Sequence, residues 1–266
     1  MIIDSTNYDM VVELDEPYYA DQYWTVIQPH LKKLPNNSST LDLGCGQGRL
    51  TMLLGELFKS GKVTACDLSK SAIGKAKSYA SESKITNIDF RTQPISQLIA
   101  ECENKYFDVI LFTEVTFFYP QWGNNFQHIV KILKPGGILA VSFRSQYFNS
   151  LYLVKEQLWD KKDMLIKNRE GNIFGDSSGI FTWQRSDEIK GFIGEHDELE
   201  LLDFFGIGIC SGITGDPHGQ ICRPSTLSER ERKDLMDIEL ELGRSVPDAG
   251  RYMLAIIQKK ESYPGS

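Results

Sequence analysis

The sequence predicts an α/β fold built on a parallel sheet, and three observations carry that prediction. Five short apolar runs recur between residues 40 and 143, separated by segments with helical spacing. The runs are almost continuously apolar, as expected of central strands buried on both faces rather than of a half-exposed antiparallel sheet. A cluster of glycines follows the first run immediately. Strand and helix alternating at these lengths give parallel strands joined by right-handed crossovers. The chain of 266 residues suits one large domain.

Taken in order, residues 1–35 hold Tyr8, Tyr18, Tyr19, Tyr23 and Trp24, an aromatic segment suited either to core packing or to a lid. The first strand is TLDLG (40–44). Leu50, Leu53, Leu54, Leu57 and Phe58 then form a helical stripe. KVTACD (62–67) is the second strand, after which Ser69 is a candidate N-cap for a helix carrying Ala72, Ala76, Tyr79 and Ala80. IDFRT (88–92), FDVILFT (107–113) and GILAVSF (137–143) read as further strands. Beyond them, 148–160 reads as helix, 161–185 as irregular, the residues after Ser186 as helix, and 199–205 as strand. A glycine-rich loop, 206–219, follows. Ser228 and Glu231 form a capping box opening a helix with Leu235, Ile238 and Leu242 on one face and a stop at Gly243. Tyr252–Gln258 is the last strand.

Composition narrows the function. Lys and Arg number 29 against 36 Asp and Glu, a formal charge of −7. Binding to phosphate backbones needs a basic face, so nucleic acid is not the expected partner. Cys45, Cys66, Cys102, Cys210 and Cys222 show no paired spacing, which points to reduced thiols and no zinc site. The first residues lack a basic stretch leading into an apolar one, and no apolar run approaches the ~18 residues of a bilayer span. The expectation is a cytoplasmic protein without a membrane partner, monomeric or homodimeric.

The chemistry concentrates in LDLGCGQGRL (41–50). Gly44, Gly46 and Gly48 permit left-handed backbone and let a ligand approach bare main chain at the end of a central strand. Asp67 ends the second strand, where a carboxylate can accept from both hydroxyls of a ribose; its structural alternative is a helix N-terminal acid. A glycine loop with a ribose acid fits two nucleotide classes. The dinucleotide pattern G-x-G-x-x-G is not matched, because Arg49 follows Gly48. The pattern Asp42-x-Gly44-x-Gly46-x-Gly48 instead resembles the signature of class I methyltransferases that use S-adenosylmethionine.

The resemblance covers most of the chain. FDVILFTEV (107–115) is similar to that family's fourth-strand motif, ILKPGGILAVSF (132–143) to its Lys-Pro-Gly-Gly turn and fifth strand, and GRYMLAIIQKK (250–260) to its closing strand. It implies a Rossmann-like seven-stranded sheet of order 3-2-1-4-5-7-6, the seventh strand alone antiparallel, with helices on both faces and a cap over the acceptor site. The expected organisation is a single domain over 1–266, with 1–35 an N-terminal lid or helix, 36–143 the cofactor-binding half, 144–225 the acceptor-side helices and loops, and 226–266 the closing helix and strand. The cofactor is S-adenosyl-L-methionine, leaving as S-adenosyl-L-homocysteine. Its binding residues are expected among Asp42, Gly44, Cys45, Gly46, Gly48, Asp67, Leu68, Gln93, Pro94, Ile95 and Thr113. Many relatives carry an aspartate where Pro94 stands, so adenine must rely on Gln93, apolar contacts or backbone.

Within the class, the strand spacing resembles ubiquinone-biosynthesis-type small-molecule methyltransferases. Some of these carry E-x-x-E-H after the fourth strand. Here Glu114 matches the first acid, but Phe117 and Phe118 replace the second acid and the histidine, so a metal-assisted reaction is not expected. The absence of N/D-P-P-Y argues against methylation of base amines in DNA. His218, in Asp216-Pro217-His218, is the candidate general base, with an exposed loop histidine as the alternative. Glu114 is a second catalytic candidate or a structural hydrogen-bond partner. Tyr19, Tyr23, Phe117, Phe118, Tyr119, Arg144 and Tyr147 are candidates for a small-molecule acceptor pocket, with core packing the alternative for the aromatics. Trp122 and Trp183 suit either role, and His30, His128 and His196 read as surface residues. A dinucleotide-dependent oxidoreductase, a non-catalytic cofactor binder and an RNA methyltransferase are the rival functions.

Overall fold

The computed structural model describes residues 9–13, 15–102, 106–173, 179–211 and 221–261. Seven strands form one sheet: β1 (Thr40–Leu43), β2 (Val63–Asp67), β3 (Ile88–Thr92), β4 (Phe107–Phe112), β5 (Leu133–Arg144), β6 (Leu199–Ile207) and β7 (Tyr252–Lys259). Their order is β3-β2-β1-β4-β5-β7-β6, as the sequence led one to expect. β7 runs antiparallel to both neighbours, and the remaining pairs are parallel. The helices are α1 (Glu16–Leu31), α2 (Arg49–Leu57), α3 (Lys70–Glu82), α4 (Ile95–Glu101), α5 (Trp122–Ile132), α6 (Gln146–Lys155), α7 (Lys162–Lys167), α8 (Ser186–Gly194) and α9 (Glu229–Ser245).

Strand alternation sends successive side chains into two cores. In β7, Met253, Ala255 and Ile257 join Leu98 and Ile99 of α4, Phe126 and Ile129 of α5, and Ile189 of α8. Tyr252, Leu254 and Ile256 join Tyr19, Tyr23 and Ile27 of α1 and Leu50 and Leu54 of α2 on the opposite face. The described part of the N-terminal aromatic segment is therefore largely core: Tyr19, Tyr23, Ile27 and Leu31 are fully buried, while Tyr8 lies outside the described residues. Helix starts follow local chemistry. Ser69 Oγ accepts from Ala72 N at 3.2 Å, and Ser228 and Glu231 form the expected reciprocal box.

Several expectations are corrected. β5 starts at Leu133 and includes the Lys-Pro-Gly-Gly turn, which is absorbed as a register jump between Phe107↔Leu133 and Val109↔Ile138. Gly243 does not stop α9, which runs to Ser245; a Cβ there would come 2.5 Å from Gly206 O, so the glycine serves close approach to β6. The face of α9 also differs. Ile238 is 53% exposed, whereas Glu239 and Gly243 are buried, because a polar network and a backbone contact set the packing instead of the apolar stripe. The stretch 161–185 is less irregular than expected: it contains α7 and a ribbon of Glu170–Gly171 with Phe181–Thr182. Conversely, the helix expected over 148–160 ends at Lys155.

Candidate functional site

The glycine turn is tied to the end of β2 by main chain and by one carboxylate. Gly44 N and Cys45 N both donate to Cys66 O, at 2.8 and 2.9 Å. Asp67 Oδ2 accepts from Gly46 N at 2.9 Å, and Oδ1 accepts from Ser69 N at 2.8 Å. A carboxylate offers about four lone-pair sites, so Asp67 retains acceptor capacity after bracing the loop. Leu68 beside it is 41% exposed. The glycines have separate reasons. Gly48 caps α2 at φ +84°, with Met52 and Ala76 pressed against it. Gly46, at φ +54°, has only Met10 Sδ near its Cβ direction, at 3.8 Å, so its glycine identity answers the left-handed backbone rather than crowding. Gly44 is held against Val115.

Residues 9–13 lie over this loop. Met10 N donates to Gln47 Oε1 at 2.7 Å, Tyr79 donates its hydroxyl proton to Asp9, and Lys75 Nζ stands 3.8 Å from Asp9. The N-terminal segment thus covers the glycine turn while α1 fills the core behind it. Asp42 is buried: its carboxylate accepts from Thr51 Oγ1 at 2.6 Å, fastening β1 to α2. Burial, reinforced by Asp67 and opposed by the Thr51 bond and Arg49, pushes its pKa up to about 6. Burial likewise pushes the Cys45 thiol up. Of the expected adenine residues, Gln93 N donates to Asp67 O at 3.1 Å, Pro94 caps α4, and Ile95 is buried in the core.

Glu114 follows β4 with φ +57°, a left-handed conformation uncommon outside glycine. Its N–H donates to Ser142 Oγ at 2.7 Å, and its Oε1 accepts from Arg49 Nη2 at 2.9 Å. Arg49 Nη1 donates to Glu16 Oε2 at 2.5 Å. Burial alone would lower the Arg49 pKa, but Glu114 and Glu16 carry it upward. The arginine that broke the dinucleotide pattern therefore links α1, the glycine turn and the end of β4. Thr113 is half-buried at the same strand end.

The acceptor-side candidates separate into groups. Phe117 and Phe118 have ring centroids 3.9 Å apart, and Phe117 lies 5.7 Å from both Phe181 and Tyr252. Arg144 is 4% exposed; its Nε donates to Asn149 Oδ1 at 3.1 Å, and its guanidinium lies 4.5 Å from the Phe148 ring and 5.3 Å from that of Tyr252. Tyr19 and Tyr23 meet edge to face at 5.5 Å. Tyr119 sits apart, on the Asp67 side, packed on Phe112; burial, then Cys66 and Asp67, raise its pKa. Tyr147 is 51% exposed and turned outward, while its neighbour Phe148 is buried against Arg144. His218, Asp216 and Pro217 lie outside the described residues.

Trp183 is core, its Nε1 donating to Leu165 O and Asn168 O. Trp122 packs on Phe126, Phe143 and Phe192. His196 is bonded to Phe192 O, and His30 is 3.7 Å from Asp203. No group of three or more His, Cys, Asp or Glu side chains suited to a metal gathers among the described residues. No helix among them is long and apolar enough to cross a membrane.

Sequence reasoning missed Glu16, Arg49, Phe148, Asn149, Phe181, Arg251 and Tyr252 as members of this region. One signal was available for Arg251 and Tyr252: an antiparallel closing strand brings its first residues to the edge where the parallel strands end. A buried carboxylate completes the arrangement. Glu239 of α9 accepts from Tyr18 Oη at 2.9 Å, Cys210 N and Ser211 N at 2.8 Å, Ser211 Oγ, and Gln22 Nε2. Gln22 Oε1 in turn accepts from Gly208 N at 3.0 Å. These bonds hold α1, the segment after β6 and α9 together above the sheet edge.

Comparison with known proteins gives a consistent picture. A family model described as "Methyltransferase domain" matches residues 34–197. Trans-aconitate 2-methyltransferase of Escherichia coli is 28% identical over 130 residues, 48% of this chain and 48% of that protein. The chain thus spans about half the length of the curated relatives it matches. Among solved structures, an S-adenosylmethionine-dependent methyltransferase from Clostridium acetobutylicum is similar with TM-score 0.52 and 14% identity, covering 97% of this chain and 95% of that one. Magnesium protoporphyrin IX methyltransferase from Synechocystis PCC 6803, with bound SAH, is similar with TM-score 0.53 and 15% identity, covering 92% and 83%. At these identities the structural likeness is one of fold.

Proposed function

The chain belongs to the methyltransferase-domain family, and from that premise we propose that it transfers a methyl group from S-adenosylmethionine to an oxygen or nitrogen of a small-molecule acceptor. The observation that carries the reading is Asp67, braced against Gly46 N and Ser69 N with acceptor capacity to spare, beside a glycine that presents no side chain to a ligand. That donor and acceptor set fits the cofactor: Asp67 would take the ribose hydroxyls, the turn at Gly44–Gly48 the methionine part, and Leu68 with the 93–95 segment the adenine. When bound, S-adenosylmethionine supplies a methyl on a sulfonium, and the acceptor's lone pair forms the new bond as the carbon–sulfur pair returns to sulfur.

The chain's own residues contribute position and exclusion of water more than proton transfer. Glu114 is held by Arg49 and by Ser142, which suits it to orienting the site rather than to roaming as a base. Residues 9–13 cover the cofactor turn, and α1 closes the sheet edge. Relatives named for trans-aconitate and magnesium protoporphyrin IX support an acceptor of metabolite size, and the acidic charge agrees with a cytoplasmic enzyme for such compounds. Calorimetric titration with S-adenosylmethionine, S-adenosylhomocysteine and the nicotinamide dinucleotides tests the reading. Binding of the first two alone is expected; binding of dinucleotides alone would overturn it. Methyl transfer from labelled cofactor into a metabolite extract tests turnover.

A further inference from the structure

A cavity of about 590 Å³ is lined by Trp122 at the start of α5 and by residues of the ribbon that pairs Glu170–Gly171 with Phe181–Thr182. Its volume is that of a small-molecule site, and none of the residues expected to hold the cofactor lines it. It adjoins the carboxyl edge of the sheet, where ligands of open α/β folds bind. Gln184 N donates to the carbonyl of Arg144, the last residue of β5, at 2.9 Å. Thr182 Oγ1 donates at 3.3 Å to Thr116 O in the turn after β4, and Thr116 Oγ1 donates at 2.6 Å to Ser142 O in β5. The wall of the cavity is thus fastened to the ends of both strands.

The polar groups of this wall are unequal in sign. Arg169 is the one cation among the described residues that line it, and its donors are taken. Nε and Nη2 lie on the Glu188 carboxylate at 2.7 and 2.6 Å, and Nη1 donates to Asn168 O at 3.0 Å. Thr182 uses its only O–H on Thr116, so toward a ligand its hydroxyl is an acceptor alone. Glu170 is exposed and forms no ion pair among the described residues. Gln184 is buried, and its Oε1 accepts no hydrogen bond among the described residues. A buried acceptor left in that state is costly, and a ligand that brings a proton removes the cost. The Asn168 amide carries both a donor and an acceptor and favours neither sign. What the wall lacks is a proton and a positive charge. Trp122 adds an indole, the aromatic group that interacts best with cations, and Ile180, 56% exposed, leaves apolar surface for the body of a ligand to cover.

We propose that this cavity binds an organic cation, an ammonium group on an apolar or aromatic body, with Gln184 Oε1 and the Glu170 carboxylate as its acceptors. The proposal rests on the methyltransferase reading in taking the bound cation to be the methyl acceptor, and it names the acceptor class: a small amine rather than an acid or a neutral alcohol. The ammonium is the group recognised, whichever atom receives the methyl.

The test uses the full chain, titrated at neutral pH with benzylamine, benzyl alcohol and benzoate by ligand-observed NMR. Benzylammonium should bind at least about fivefold more tightly than benzyl alcohol, and benzoate more weakly than either. Glu170→Gln should weaken benzylammonium by about two- to fivefold, the range of an exposed ion pair. Gln184→Met removes the buried acceptor and leaves an apolar side chain of similar length, so it should keep its thermal stability and weaken benzylammonium by about tenfold. S-adenosylhomocysteine should bind both variants as it binds wild type, and saturating amounts of it should not displace benzylammonium. Should Gln184→Met unfold, Glu170→Gln decides. Equal binding of the three probes, preference for benzoate, cation binding that survives the substitutions, or displacement by S-adenosylhomocysteine would overturn the proposal. Failure of the wild-type chain to bind S-adenosylhomocysteine at all would instead overturn the cofactor reading, while the benzylammonium titration still decides the cavity.

Discussion

Replacing Asp42 by asparagine should make the protein relatively more stable as pH rises. The carboxyl is buried between β1 and α2, and its pKa is raised from the ordinary 3.8 to about 6. An acid whose pKa is higher in the folded state binds its proton more tightly there. Its favourable contribution is complete below pH 3.8 and is lost as pH rises through about 6. The two values differ by about two powers of ten in proton affinity, so the full effect is about 3 kcal/mol. About one third of it is already lost by pH 4.5, leaving a change of about 2 kcal/mol between pH 4.5 and 8. The asparagine oxygen can still accept from Thr51 Oγ1, and its new amide donor carries a cost that does not depend on pH. Unfolding in urea at both pH values, for wild type and Asp42→Asn, isolates the ionisation, because every other titrating group cancels in the difference. The variant should gain about 2 kcal/mol on wild type between pH 4.5 and 8. A difference constant with pH, or one moving against the variant, would refute the argument that Asp42 is a desolvated fastener.

Two other substitutions probe the Glu239 network and the proposed cofactor site. Glu239→Ala leaves Tyr18 Oη, Cys210 N and Ser211 N without their acceptor, and should cost about 3–5 kcal/mol; thermal unfolding should drop by about 10 °C, and a shift within error would show that the network is dispensable. Asp67→Asn exchanges one acceptor oxygen for a donor facing Gly46 N or the bound ribose, and should weaken S-adenosylhomocysteine by about 10–100-fold in calorimetry. Unchanged affinity would remove Asp67 from the cofactor site.

Much of residues 36–143 was legible because its signals are local. The strand runs, the glycine turn and the acid at the end of β2 lie within a few residues of the structures they form, and Ser69 and Ser228 cap helices through contacts three residues away. The errors arose where a local signal met a distant partner. Gly243 reads as a helix stop until β6 is placed against it, and Ile238 reads as core until Glu239 is seen to hold Tyr18 and Ser211. Tyr147 and Phe148 differ by one position, yet only packing against Arg144 decides which of them turns inward.

The sequence by itself determined the class of sheet, the strand order through its family resemblance, and the glycine turn and Asp67 on which the proposed cofactor site rests. These depend on periodicity, turn chemistry and spacing along one stretch of chain. Tertiary structure alone decided which distant residues gather at the carboxyl edge of the sheet. Arg49 became the tie between Glu16 and Glu114, and antiparallel pairing of β7 set Arg251 and Tyr252 beside Arg144. Residues more than a hundred positions apart share that edge because hydrogen-bond register, which no local pattern encodes, aligns the beginning of one strand with the end of another.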